Sequence, residues 1–164
     1  MERWRRIDAA SEAEARALLQ VCCGASRWID RMLARRPFAS QNEALAAARQ
    51  EWWALSQDDW REAFAHHPRI GGIEDLETRF ARTRSLSAHE QSGVSGASPE
   101  LLASLLEANR AYEERFGYIF IVCASGKTAA EMLDLLRVRL DNPPDTEILI
   151  AAGEHAKICD LRLR

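Results

Sequence analysis

Apolar residues recur at helical spacing along most of the chain. Ser11-Glu12-Ala13-Glu14 reads as a capping box, in which the Ser11 hydroxyl accepts a free amide and Glu14 reaches back. Leu18, Leu19, Cys22 and Cys23 follow at three- and four-residue intervals, and Gly24 is expected to stop that helix. A second helix runs through Trp28, Ile29, Met32 and Leu33 and ends at Pro37. Ser40-Gln41-Asn42-Glu43 repeats the box pattern and opens a helix with Ala44, Leu45, Ala48, Trp52 and Leu55 on one face. Ser56 or Asp58 starts the next, with Trp60 and Phe64 four apart, and it should stop before Pro68.

Residues 66–72 read as loop, a short helix is predicted around Leu76 to Ala81, and residues 84–98 are Ser- and Gly-rich. Ser98-Pro99 caps a long helix whose stripe is Leu101, Leu102, Leu105, Leu106, Asn109, Tyr112 and Phe116, ended by Gly117. Thr128 opens a helix carrying Met132, Leu133, Leu136 and Leu140, halted by Asn142-Pro143-Pro144. A last helix from near Asp145 carries Ile148, Leu149, Ala152, Ile158 and Leu161. Tyr118 to Cys123 is β-branched and aromatic but has no partner strand elsewhere, so 118–124 is read as a short extended, buried segment. The expectation is an all-α, single-domain helical bundle over residues 1–164 with short connections.

Composition narrows the class. The 164 residues are 47% apolar and 29% charged, enough for one core. A net charge of −3 from 22 basic and 25 acidic residues argues against a nucleic-acid binder with a broad cationic face. No apolar run suggests a membrane span or a signal peptide, so the expectation is a cytoplasmic protein with no membrane partner. Cys22, Cys23, Cys123 and Cys159 form no Cys-x-x-Cys pair and are read as small buried residues.

Three stretches could carry chemistry. In His66-His67-Pro68-Arg69-Ile70-Gly71 a histidine is held after a helix end by the following proline, and its neutral pKa suits proton transfer. The plainer alternative is a histidine that binds the last carbonyls of its helix. Ser87-Ala88-His89-Glu90-Gln91 fits a capping box, and it also gathers a hydroxyl, a carboxylate and an amide in a loop region. Ser125-Gly126-Lys127-Thr128 lacks the first glycine of a phosphate-binding loop, since Ile121 stands there, and reads as a turn and helix start.

The order Arg36-Pro37-Phe38, Ala63-Phe64-Ala65-His66-His67-Pro68-Arg69-Ile70-Gly71, Ser87-x-x-Glu90-Gln91, Asn109-x-x-Tyr112 and Arg115 to Ala124 resembles the OHCU (2-oxo-4-hydroxy-4-carboxy-5-ureidoimidazoline) decarboxylase family. Arg139-Leu140-x-Asn142, Glu147 and Lys157-Ile158-Cys159-x-Leu161-Arg162-Leu163 continue the series, which spans about residues 4–164. Ile119 departs from it, because many relatives carry proline there.

The resemblance implies an all-helical, cofactor-free, metal-free and commonly homodimeric enzyme of uric acid breakdown that gives (S)-allantoin and CO2. It places the catalytic histidine on His67, its paired glutamate on Glu90 and a substrate-binding arginine on Arg162. It assigns further substrate contacts to Pro68, to Ser87, Ala88, His89, Glu90 and Gln91, and to Ile119, Phe120, Ile121, Val122 and Cys123, the last five through backbone groups. The enzyme reading requires His67, Glu90 and the 119–123 backbone around one pocket. A noncatalytic helical interaction module would leave His67 and Glu90 as caps. A metal hydrolase on His66, His67 and His89 is disfavoured by ligand spacing.

Overall fold

A computed structural model describes residues 1–68 and 97–164. Among them every regular element is a helix: α1 (Arg3–Ala9), α2 (Glu12–Cys22), α3 (Ser26–Arg35), α4 (Gln41–Trp53), α5 (Gln57–Ala65), α6 (Pro99–Phe116), α7 (Ala129–Leu140) and α8 (Pro144–Leu163). The expected helix at 76–81 lies outside the described residues. The chain divides into two compact units, Met1–His67 with Ile148–Arg164, and Pro68–Glu147.

Local signals set the helix starts. Ser11 and Thr128 form complete boxes with Glu14 and Glu131, and Ser56 forms one with Asp59. Ser40 accepts the Glu43 amide, but the Glu43 carboxylate takes the amide of Ala39 instead of closing its own box. Ser98 accepts from Leu101 behind Pro99, and Gly117 ends α6 at φ 80°, a left-handed angle that favours glycine. The short α1 was not foreseen. Its C-terminal carbonyls at Ile7 and Ala10 are capped by the Arg36 guanidinium, while Asp8 accepts the Phe38 amide, which accounts for the Arg36-Pro37-Phe38 stretch.

In the first unit α3 packs against α2, α4 and α5 and buries Trp28, Ile29 and Met32. Each buried indole finds an acceptor: Trp28 reaches the carbonyl of Ala48, Trp52 that of Ala152 and Trp60 that of Trp52, while Trp4 reaches the Glu2 carboxylate. That removes the desolvation cost of the N–H while keeping the large apolar burial. Trp53, by contrast, is 48% exposed. Three of the four cysteines are buried, whereas Cys123 is only partly so. Of the apolar residues expected along α8, Ile148 and Ala152 are buried, whereas Leu149 and Leu161 face outward. The stripe that packs runs instead through Ile148, Ala152, His155, Cys159 and Leu163, at steps of three and four.

Gly24 differs from its expected role. α2 ends at Cys22 with extended Cys23 as cap, so Gly24 is not the left-handed stop. A Cβ on Gly24 would lie 2.4 Å from the Cβ of His66. Glycine is needed there because the α2–α3 connection runs directly against the residue that follows α5.

In the second unit α6 and α7 pack together. The 118–124 stretch between them is neither helix nor strand. Tyr118, Phe120 and Ile121 are buried, but Ile119, Val122 and Cys123 are half-buried and Ala124 is exposed, so the segment is less buried than its composition suggested.

Candidate active site

The end of α5 separates the two adjacent histidines. The amides of His66 and His67 donate to the carbonyls of Ala63 and Phe64, so the backbone closes the last turn. It is therefore the main chain of His67 that finishes the helix. His66 is exposed against Gly24, His67 is half-buried, and Pro68 is exposed. The His67 ring meets the ring of His155 edge-on, with centroids 4.9 Å apart and planes at 84°.

His155 was not among the expected site residues. It is fully buried in α8, stacked on Trp52 at 4.3 Å and 15°, with Phe64 at 6.0 Å. Neither of its ring nitrogens meets a hydrogen-bond partner among the described residues. Burial first, then the neighbouring His67 and Arg162, push its pKa down to about 3. His155 is thus a neutral aromatic plate beside His67. The signal for it in the sequence is a histidine in phase with the apolar stripe of α8.

Arg162 lies two turns further along the same helix and is half-buried. It donates to the carbonyl of Val21 at 3.2 Å, and its own carbonyl accepts from Arg3. The structure thus brings His67, His155 and Arg162 into one compact unit. Burial raises the thiol pKa values of Cys22, Cys23 and Cys159 in that unit, Cys23 to about 12, so these thiols stay protonated.

The second unit holds Ile119, Phe120, Ile121, Val122 and Cys123. Arg139 donates through Nη1 to the Ile121 carbonyl at 2.6 Å, and its guanidinium lies 4.5 Å from the Phe120 ring centroid. Lys127 donates to the Cys123 carbonyl at 2.7 Å, and Gly126 has φ 74°, which bears out the turn reading of Ser125 to Thr128. Arg139 is itself gripped by fully buried Glu147, through Nε at 2.7 Å and Nη2 at 2.5 Å. The Tyr112 hydroxyl donates to the same carboxylate oxygen, and Asn142 donates to the other at 2.9 Å. Burial and the Glu147 carboxylate hold the Tyr112 pKa far above the ordinary phenol range. These contacts account for Tyr112, Arg139, Asn142 and Glu147, which the sequence pattern singled out without a role.

Ser87, Ala88, His89, Glu90 and Gln91 lie outside the described residues, and so does the meeting of His67 with Glu90. Among the described residues no group of three His, Cys, Asp or Glu side chains could hold a metal ion.

A family model, OHCU decarboxylase, matches residues 8–164. The chain is 42% identical over 147 residues to the uric acid degradation bifunctional protein TTL of Arabidopsis thaliana, covering 88% of this chain and 44% of that longer protein. It is 31% identical over 129 residues to the 2-oxo-4-hydroxy-4-carboxy-5-ureidoimidazoline decarboxylase of Amia calva, covering 79% of this chain and 73% of that one. The fold matches a crystal structure of an OHCU decarboxylase in the presence of (S)-allantoin with a TM-score of 0.71 and 35% identity, over 94% of this chain and 96% of that one. The helices, their order and nearly the full length of the chain thus agree with one group of proteins: the chain belongs to the OHCU decarboxylase family.

Proposed function

We propose that residues 1–164 act as one domain that decarboxylates 2-oxo-4-hydroxy-4-carboxy-5-ureidoimidazoline to (S)-allantoin and CO2 in uric acid degradation, as a carboxy-lyase. The observation that carries this reading is the family match over residues 8–164, in a chain whose half-buried His67 is held at a helix end beside a neutral aromatic wall. The substrate's reacting carbon bears both carboxylate and hydroxyl next to a ring C=N. As the C–C bond breaks, its electron pair moves into that imine and CO2 leaves. The substrate is its own electron sink, and the protein's task is positioning, proton transfer and control of the face that is protonated.

In this reading His67 is the general acid/base, Glu90 orients it, and Arg162 binds substrate oxygen through its planar fork. Gripping the departing carboxylate tightly would stabilise the ground state along with the transition state, so Arg162 is better suited to an oxygen that stays. Pro68, the residues from Ser87 to Gln91 and the backbone of 119–123 complete the contacts. No helix among the described residues is long and apolar enough to cross a membrane, and the reading includes a cytoplasmic location. The reading includes a homodimer, which light scattering tests, and no nucleic-acid partner.

The experiment supplies freshly generated substrate and follows optical rotation against the spontaneous reaction. Accelerated, stereospecific allantoin formation supports the reading. Decay at the spontaneous rate overturns it in favour of a noncatalytic helical module.

A further inference from the structure

We propose that Arg139 and Glu147 are positioning residues for this reaction: Arg139, gripped by Glu147, holds the Ile121 carbonyl and so fixes the 119–123 backbone in the orientation in which its amide N–H groups meet the oxygen atoms of the ligand. The inference rests on the functional reading above and deepens it.

Two carbonyls of this backbone are held by side chains. Its carbonyls at Ile121 and Cys123 are each committed to a cation, Arg139 and Lys127. Among the described residues the amide N–H groups of Ile119, Phe120, Ile121 and Val122 meet no acceptor. Backbone donors without an internal partner form a surface for ligand acceptors, and the two held carbonyls fix the orientation in which it is offered. Such a surface selects oxo and carboxylate oxygens over N–H groups. The cation on the Ile121 carbonyl also polarises that peptide, whose N–H belongs to Val122, and this makes Val122 the strongest donor of the run.

The grip itself requires an arginine. One guanidinium turns Nε and Nη2 to Glu147, Nη1 to the Ile121 carbonyl and its flat face to Phe120. A lysine keeps the charge but cannot make both contacts in fixed directions. Glu147 in turn is held at both oxygens, by Tyr112 and by Asn142. A well-packed apolar pair would fill the same space without desolvating two charges, so stability alone does not account for the arrangement. Direction does, because an ion pair with its hydrogen bonds satisfied fixes one orientation of the peptide it touches.

The test compares the full-length wild type with Arg139→Lys, Glu147→Gln and Tyr112→Phe, using (S)-allantoin as the binding probe. In folded Arg139→Lys, KM and the allantoin Kd should rise tenfold or more while kcat falls less than threefold. Tyr112→Phe, which loosens Glu147 by one hydrogen bond, should show the same split at about threefold. In the wild type, allantoin should shift the amide resonances of residues 119–122, Val122 most. Folded variants with unchanged KM and Kd overturn the proposal, as does a kcat loss at unchanged KM. If neither Arg139→Lys nor Glu147→Gln folds, Tyr112→Phe and the wild-type amide shifts decide it, and the absence of those shifts refutes it. A wild type that neither turns over substrate nor binds allantoin removes the functional reading itself. A wild type that does both beside unaffected variants removes this inference alone.

Discussion

Two buried polar clusters in this protein are built on opposite plans. Around Glu147 in the second unit, both carboxylate oxygens are bonded and the partner guanidinium is used on three sides. Around His155 in the first unit, a buried imidazole is held by stacking on Trp52, and its nitrogens meet no partner among the described residues. The contrast teaches what each can do. A satisfied charged network fixes a direction and resists change, because moving any member uncovers a buried charge. A neutral plate held by dispersion places a neighbouring ring without supplying a charge of its own.

The comparison can be broken at either end. The largest effect is expected from Arg139→Met, which strands the Glu147 carboxylate and should cost about 3–5 kcal/mol of stability in urea unfolding. A cost below about 1 kcal/mol would show that the network is not the rigid cluster described here. Next is His67→Asn, expected to keep its far-UV circular dichroism while allantoin formation falls about a hundredfold or more. Near-normal turnover in that folded variant removes the proton-transfer role.

The third concerns pH. An unfolded imidazole takes up its proton near 6.5, whereas His155 in the folded chain does so only near 3. Across that window the unfolded state binds more protons, so stability falls as pH falls. Between pH 7.5 and 5 the wild type should lose about 2 kcal/mol more than His155→Phe, which keeps an aromatic ring on Trp52. Parallel losses in the two proteins would mean that His155 titrates normally. The smallest effect belongs to Asn142→Ala, which frees one oxygen of Glu147 at the edge of the cluster and should cost about 1–2 kcal/mol in urea unfolding.

The helices were legible because their signals are local. Ser11 with Glu14 and Thr128 with Glu131 specify starts within four residues, and Gly117 specifies a stop by its own backbone freedom. The Gly24 reading failed for the opposite reason, since a glycine required by the approach of His66 looks the same in sequence as one that ends a helix. Leu149 and Leu161 were misplaced because helical spacing allows more than one face, and packing chose the one through His155. The His66-His67-Pro68 stretch stood out as candidate chemistry, but nothing local says which ring turns inward.

By itself, then, the chain determined where most of its helices begin and end, its all-helical class and the ordered residues that mark its family. Those properties depend on neighbours a few positions apart, or on the order of short stretches. Only the folded structure decided that His67 faces His155, that Arg139 serves both Glu147 and the Ile121 carbonyl, and that Gly24 makes room for His66. Each of these joins residues on different elements, and such a contact is selected by packing and by the cost of leaving buried polar groups unmet.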